Sequence, residues 1–188
     1  LLVLIAFLQG IVFYGPAATI YRRAYGLDIQ GLFLVESISW VAVLLLEVPW
    51  GRFADRFGYR KTLLLGNFVF LVSKGIFSVA SGFAGFLAER LALAVAAAAL
   101  SGCSEALVYR SVGSGKAEEA FGRWNAAGVA GLMAASACWP LLSAFPLRVS
   151  AYATVVPYAL AFACSMFLVD VEEPGLPVTS GASGGSER

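Results

Sequence analysis

Six long apolar runs restrict the fold of this chain more than any other feature of its sequence. They cover approximately residues 1–21, 29–50, 62–80, 83–109, 124–145 and 149–169, with short polar turns between them. Each is close to the ~20 residues with which an α-helix crosses the hydrocarbon core of a bilayer, whereas a barrel strand needs only about 10. We therefore predict an all-α fold, a polytopic transmembrane helix bundle with six spans over residues 1–170.

The composition agrees with repeated membrane crossing. Apolar residues make up 60% of the 188 residues, more than a soluble domain of this length buries, so the excess must face lipid. The chain has no histidine, which excludes imidazole metal sites and histidine proton relays. Cys103, Cys138 and Cys164 lie in apolar runs without close pairing, as expected of packing residues. The net charge of +1 predicts no nucleic-acid partner, and we also predict no metal and no cofactor.

The two ends of the sequence differ from each other. Leu1 already lies in an apolar run, so we expect the chain to begin within, or near the start of, the first membrane helix of a longer protein. Residues 171–188 contain a Glu-Glu-Pro-Gly sequence that stops a helix, followed by a stretch rich in Gly and Ser. This composition predicts a flexible cytoplasmic linker or tail, because it offers little apolar surface to bury.

The stretch between the second and third runs, which we call the charged segment (residues 51–63), is unusual in this chain. It holds Arg52, Asp55, Arg56, Arg60 and Lys61, although only 13% of all residues are charged. A charged turn between two membrane spans must lie at a membrane surface. Since four of these five charges are basic, and Lys and Arg collect on the cytoplasmic side, we place the charged segment inside the cell.

The other basic residues support this orientation. With the charged segment inside, seven Lys or Arg residues fall in cytoplasmic turns and three in outside turns. The cytoplasmic set is Arg52, Arg56, Arg60, Lys61, Arg110, Lys116 and Arg123, and the outside set is Arg22, Arg23 and Arg148. This bias predicts that residues 22–28 lie outside and that residues 110–123 form a polar cytoplasmic connector.

The charged segment resembles the signature loop of the Major Facilitator Superfamily, a group of secondary transporters. That loop joins the second and third helices and reads Gly-x-Leu-Ala-Asp-Arg-x-Gly-Arg-Lys/Arg-x-x-Leu. The matching residues are Gly51, Ala54, Asp55, Arg56, Gly58, Arg60 and Leu63, and Lys61 adds a further basic residue. The resemblance implies that this chain is the N-terminal six-helix half of a twelve-helix permease. The C-terminal six-helix half would lie outside this chain. The resemblance also implies conformational roles for the charged segment, carried by Gly51, Asp55, Arg56, Gly58, Arg60 and Lys61.

Ionisable residues inside membrane spans cost several kcal/mol, so each is a candidate functional residue. Glu36 and Lys74 lie ~21 Å and ~18 Å from the cytoplasmic ends of neighbouring runs, at 1.5 Å per residue. We therefore predict that they meet at one depth. Two interpretations remain open for this pair: a buried structural ion pair, or a substrate- or proton-coupled pair that faces a central cavity.

Three other polar residues inside spans are candidate cavity residues. Gln9 and Tyr14, in the first run, could line a cavity or make a local hydrogen bond within the core. Arg90, in the fourth run, could extend to the outer surface or face the cavity. The second role is implied by an Arg-x-x-x-Gly pattern in the family, although Ala94 replaces that glycine here. In the fifth run Ala127, Gly131 and Ala135 recur every four residues, which favours close helix packing.

The end of the fourth run resembles a bacterial branch of the same superfamily. Residues 101–111 follow its Ser-Gly-x-x-Glu-Ala-Leu-x-Tyr-Asp-Ser pattern, except that Arg110 replaces the aspartate. In the family an acidic residue near this end pairs with the basic part of the signature loop, so either Glu105 takes that role or the pairing is altered. The resemblance implies a multi-pass protein of a bacterial inner, or plasma, membrane.

The function implied by the resemblance is secondary active transport of a small solute by alternating access, with proton coupling as one option. The chain has no P-loop, so ATP would not drive it, and we predict no enzymatic activity. Two alternatives remain: a membrane scaffold or receptor subunit that transports nothing, and an integral membrane enzyme that acts on lipid. The enzyme would need a nucleophile or an acid cluster at a membrane face. A second set of six spans would favour the transporter.

Overall fold

The computed structural model describes residues 1–112 and 117–168, and every regular element in these ranges is helical. The predicted tail, residues 171–188, and Lys116 lie outside the described residues. The helices are α1 (Leu2–Gly10), α2 (Ala18–Ala24), α3 (Ile29–Phe57), α4 (Tyr59–Val79), α5 (Gly82–Val112), α6 (Ala117–Ala137), α7 (Trp139–Leu142) and α8 (Leu147–Met166). The predicted all-α class is therefore confirmed.

Five helical segments of the described chain are long and apolar enough to cross a membrane. They are Leu2–Ala24, Ile29–Phe57, Tyr59–Val79, Gly82–Val108 and Leu147–Met166. The predicted span over residues 124–145 is not among them, because the structure divides it between α6 and α7. Helix α6 is rich in Gly and Ala and carries Glu118 and Glu119 in its first turn, which lowers its hydropathy. It nevertheless packs along α1 inside the bundle.

The predicted polar connector over residues 110–123 is mostly helical. Helix α5 continues through Val112, and α6 begins at Ala117 rather than at Trp124. The side chain of Arg123 pairs with Glu119 one turn earlier, at 2.7 Å. Such pairs support exposed helices, so the described polar residues of this connector lie in helices.

The first membrane span is broken between α1 and α2. Helix α1 ends at Gly10, and a 3-10 turn over Gly15–Ala17 precedes α2. The Gly15-Pro16 pair predicts an interruption of the helix here, because proline removes a helical hydrogen bond. Two side chains of α8 satisfy backbone groups at the break: Thr154 Oγ1 accepts from the Phe13 N–H at 3.1 Å, and the Tyr158 hydroxyl donates to the Gln9 carbonyl at 2.6 Å. In a bilayer such partners are necessary, because lipid offers none.

The charged segment is almost entirely helical, which differs from the predicted turn. Helix α3 continues to Phe57 and α4 begins at Tyr59, so Gly58 is the only residue between them. Gly58 has a φ of 91°, a conformation that favours glycine over other residues. At the other end of α3, Asp28 caps the helix by accepting the Gly31 N–H at 2.9 Å, as its position predicts.

The helices pack in a fixed order around α4. Helix α4 lies between α5 and α8, α3 packs on α5, and α1 packs on both α6 and α8. Among the described residues, the largest cluster of buried residues contains Tyr14, Tyr21, Phe77 and Phe86. It lies inside the bundle, at the end opposite Gly58. Helix α3 exposes a continuous set of large apolar side chains, including Phe33, Leu34, Trp40, Leu44, Leu45 and Val48, which suits contact with lipid.

Candidate functional site

Four charged side chains form one network between α2, α3 and α5, which we call the charged quartet (Arg22, Glu36, Glu89 and Arg90). Arg22 lies 3.5 Å from Glu36 Oε1 and 3.5 Å from Glu89 Oε2. Arg90 hydrogen-bonds Glu36 through Nη2, and its Nε lies 3.8 Å from Glu89 Oε2. The two cations balance the two anions, which is how charges persist in a membrane bundle.

Burial differs within the charged quartet. The side chains of Arg22 and Glu89 are only 6% and 1% exposed, whereas those of Arg90 and Glu36 are 18% and 30% exposed. Glu89 Oε1 has no hydrogen-bond partner in the described part of the chain. The Ser39 hydroxyl also donates to the Arg90 carbonyl at 3.2 Å and so adds a further link between α3 and α5. The quartet therefore fixes α2, α3 and α5 to each other.

The predicted meeting of Glu36 and Lys74 is wrong. Glu36 pairs with Arg22 and Arg90 instead. Among the described residues no carboxylate lies within ion-pair distance of Lys74, whose Nζ donates to the Tyr14 hydroxyl at 3.1 Å. The prediction counted depth from the ends of the apolar runs, whereas α3 continues to Phe57 and α4 begins at Tyr59, so Glu36 lies 21 residues from that corner and Lys74 only 15. Glu36 also faces α5, where it pairs with Arg90.

Lys74 is enclosed by aromatic rings. Its Nζ lies 5.0 Å from the ring centroids of Phe70 and Tyr158 and 5.7 Å from that of Tyr14. The residue is only 5% exposed. Ring faces attract a cation, and more strongly where water is excluded. This aromatic cage replaces the predicted carboxylate partner.

The remaining candidates of the first span lie on either side of its break. Tyr14 is buried, stacks on Phe77 with centroids 3.9 Å apart, and accepts from Lys74. Gln9 donates through Nε2 to Asn67 Oδ1 at 2.6 Å. Arg90 does not extend to the outer surface, because Glu36 and Glu89 hold it within the bundle. The cavity roles of these residues stay predictions.

A pocket of about 370 Å³ lies between α1 and α6, and we call it the α1/α6 pocket. Gln9, Gly10 and Val12 line it from α1 and from the break that follows. Trp124, Asn125 and Gly128 are among its residues from α6. It is therefore built at the point where the first span loses its helical hydrogen bonds.

The charged segment presents Asp55 at the surface, within the last turn of α3. Its Oδ1 accepts a hydrogen bond from Tyr59 at 3.4 Å, and within the described ranges neither Arg52 nor Arg56 forms an ion pair with it. Arg56 lies over the ring of Phe57 instead, at 5.4 Å. The Asp55 carboxylate is thus left exposed at the surface, although the nearest charged residues in sequence are basic.

The other residues of the charged segment hold the corner in place. Arg60 Nη2 donates to the Met166 carbonyl at 3.2 Å and so caps the end of α8. The Thr62 hydroxyl donates to the Gly58 carbonyl at 3.0 Å. Lys61 and Gly51 are exposed, and nothing lies within 4 Å of a side chain added at Gly51 or Gly58.

A second pocket, of about 350 Å³, lies beside this corner between α3 and α5. Glu47, Trp50, Asp55 and Ser101 are among the residues that line it. Glu105 is exposed on α5, and in the described ranges no ion pair joins it to the arginines of the charged segment. Both alternatives, a role for Glu105 and an altered pairing, stay predictions, and the side chain of Arg110 lies outside the described residues.

Sequence reasoning missed two members of the charged quartet. Arg22 falls in the predicted outside loop, but α2 continues through Ala24 and buries it. Glu89 is adjacent to Arg90 and is fully buried. The signal was a Glu-Arg pair within an apolar run, because an ionisable residue inside a membrane span is a candidate functional residue and tends to pair with others.

Comparison with known proteins agrees with this architecture. The model of the Major Facilitator Superfamily matches residues 1–186 of the chain. No curated protein matches the sequence significantly. The family match spans nearly the whole chain, and the described helices form the apolar bundle that a membrane transporter requires. The chain therefore belongs to the Major Facilitator Superfamily, a family of membrane transporters for small molecules.

Proposed function

We propose that this protein carries out secondary active transport of a small solute by alternating access, and that this chain forms one six-helix half of the permease. Family membership supports membrane transport in general. Transporters of this kind hold the solute near the midplane between two halves that rock against each other. The proposal places one wall of that site on this chain.

The observation that carries the proposal is the corner between α3 and α4. A single glycine joins two long helices, and Asp55 stands exposed beside it without an ion pair in the described ranges. Arg60 secures the same corner to α8. A fixed corner with an accessible acid is suited to a contact that another part of the protein makes and breaks.

The broken first span gives further support. Transporter sites are often formed where a membrane helix is interrupted, because the interruption leaves backbone groups that can line a cavity. Here the break follows Gly10, and the α1/α6 pocket opens at it. The charged quartet instead joins α2, α3 and α5, and none of its members is among the residues that line the α1/α6 pocket.

The test is a transport assay with the full-length protein in lipid vesicles. Sugars, organic cations, organic anions and neutral aromatic compounds would be offered with and without an inward proton gradient. We expect saturable uptake of one class, which a protonophore abolishes if protons drive it. Vesicles with Glu119→Gln protein serve as the control, since Glu119 pairs only with Arg123 at the exposed start of α6.

Two outcomes would contradict the proposal. If the intact protein binds a solute but moves none across the membrane, it is a receptor or scaffold. If it consumes lipid in the same vesicles, it is an enzyme. Either result would leave the helical fold unaffected.

A further inference from the structure

The α1/α6 pocket contains polar groups that the protein itself does not use. Gln9 donates through Nε2 to Asn67, and its Oε1 makes no hydrogen bond to the described residues. The Asn125 amide and the Trp124 indole N–H also have no hydrogen-bond partner in the described ranges. One side of the pocket therefore offers an acceptor, and the facing helix offers donors.

The pocket is held in shape before any ligand arrives. Asn67 is 2% exposed and fixes the side chain of Gln9, while the Tyr158 hydroxyl holds the Gln9 backbone carbonyl at 2.6 Å. Helices α1 and α6 are in direct backbone contact beside the pocket, because a Cβ at Gly10 would overlap the Gly128 carbonyl. A site fixed in this way loses little conformational entropy when it binds.

None of the described residues that line the α1/α6 pocket carries a charge. The nearest charged residue in sequence, Arg123, is 73% exposed and paired with Glu119. The charged quartet lies on other helices, α2, α3 and α5. The buried cation Lys74 contacts Tyr158, which bonds Gln9, but Lys74 is not among the residues that line the pocket and is already enclosed by aromatic rings. A full charge placed in the pocket would therefore gain no counter-charge from a described lining residue, which is costly in a membrane setting.

We propose that the α1/α6 pocket is a subsite of the transport pathway that binds uncharged solutes. Its ligand carries an amide, carbonyl or hydroxyl group on an apolar body. The polar group would lie between Gln9 and Asn125, and the apolar body would lie against Val12, Val129 and Leu132. The volume of about 370 Å³ suits a small molecule of this kind. The assignment as a transport subsite depends on the proposed function, but the binding preference does not.

The test uses three compounds of nearly equal shape that differ in charge: benzamide, benzoate and benzamidine. The protein would be placed in lipid nanodiscs with Trp40, Trp50 and Trp139 changed to Phe, so that Trp124 alone reports binding by fluorescence. We expect a saturable response to benzamide, with at least tenfold weaker responses to benzoate and benzamidine. Equal responses to all three compounds, or none to benzamide, would overturn the proposal.

Variants locate the binding within the pocket. Asn125→Leu, at an exposed position of α6 that does not affect packing, should weaken benzamide binding about fivefold to tenfold. Gln9→Met should do the same, although it also leaves Asn67 without its partner. Gln30→Leu, an exposed change at the start of α3, should leave binding unchanged. Unaltered affinity in the folded Asn125→Leu protein would contradict the proposed site.

The outcome separates this inference from the proposed function. If benzamide binds as expected but the full-length protein transports nothing, the binding site stands and the transport proposal fails. If transport occurs but Trp124 shows no preference for the uncharged compound, only the pocket proposal fails.

Discussion

At the scale of single residues, the buried charges of this protein are stabilised in two different ways. The charged quartet balances two arginines against two glutamates. Lys74 has no carboxylate within ion-pair distance among the described residues and depends on Tyr14 and aromatic ring faces. Removing one member of a balanced network leaves an uncompensated charge, whereas Lys74 makes no ion pair with a described residue that its removal would break.

The charged quartet predicts which pair of residues is energetically coupled. Glu36→Gln and Arg90→Met should each destabilise the protein, and the double change should cost about 1 kcal/mol less than the sum, because the two side chains share a hydrogen bond. Unfolding of the protein in detergent would measure the three free energies. The control is the pair Glu36→Gln and Lys74→Met, which do not touch and should add. Additive losses for Glu36 and Arg90 would show that the network contributes no coupling.

For Lys74 the aromatic cage predicts the opposite effect: its substitution should stabilise the protein. Lys74→Met removes a buried charge and keeps a flexible apolar side chain among rings that methionine packs against well. We expect the free energy of unfolding to rise by about 1 kcal/mol, because desolvation of the ammonium exceeds the attraction of the rings. Thermal unfolding in detergent is the measurement, with the exposed Lys61→Met as a control that should change nothing. A clear loss of stability would mean that the cage outweighs the desolvation.

At the scale of helices, the backbones of α1 and α6 contact each other directly at their glycines, with no side chain between them. A Cβ added at Gly131 would overlap the Phe7 carbonyl, and one added at Gly10 would overlap the Gly128 carbonyl. The predicted spacing of small residues in α6 agrees, since Gly131 and Ala135 are buried. Without a hydrophobic driving force between helices in lipid, such close backbone contact is a main source of association.

Two glycines of α6 should therefore respond oppositely to the same change. Gly131→Ala should destabilise the protein by about 2 kcal/mol, because the methyl group forces α1 and α6 apart. Gly122→Ala should stabilise it by about 0.5 kcal/mol, because nothing lies within 4 Å and alanine favours a helix. Unfolding midpoints of the two variants give the comparison. Equal effects of the two substitutions on the unfolding midpoint would mean that helix propensity, rather than the close contact between α1 and α6, determines the change in stability.

The elements show why some of this structure could be predicted from sequence and some could not. Apolar runs and the Gly-Pro pair identify the helices and the break, because these depend on local hydropathy and backbone chemistry. The ends of α3 and α6 could not be predicted, since charged residues such as Arg56 and Glu119 continue a helix into water as readily as they end one. The partner of Glu36 could not be predicted either, because the ends of the apolar runs do not locate the ends of the helices, and depth does not determine which neighbouring helix a side chain faces.

At the scale of the whole molecule, the orientation in the membrane follows from the distribution of basic residues. It predicts that Arg23 faces outside and Lys61 the cytoplasm; both side chains are exposed. Single cysteines at these two positions, in a protein without its three native cysteines, would be treated in intact cells with a membrane-impermeant thiol reagent. Labelling should occur at position 23 only. Labelling at position 61 would reverse the orientation.

The exposed acid at the α3–α4 corner bears on how the whole molecule changes state. Asp55 lies at the C-terminal end of α3, where the helix dipole disfavours an anion, and among the described residues it has no ion pair to compensate. Local compensation by Arg52 or Arg56 is therefore absent from this arrangement. A remote partner, engaged when the cytoplasmic side is closed, would explain why an acid lies in a basic segment, and would make Asp55 a conformational latch.

The latch predicts a loss of transport without a loss of protein. Asp55→Asn in the full-length transporter should insert and accumulate normally, because the side chain is exposed and makes one long hydrogen bond to Tyr59. Its transport rate should fall by about tenfold or more, since weakening a contact specific to one state by about 1.4 kcal/mol shifts the populations tenfold. Cysteines placed in the second pocket, beside the α3–α4 corner, at Ser101 for example, should at the same time react faster from the predicted cytoplasmic side. Asp28→Asn is the matched control, because that acid caps α3 at its other end and asparagine caps equally well. Near-normal transport by a well-expressed Asp55→Asn protein would show that the acid acts only within its own corner, and the closed state would then need another contact to hold it.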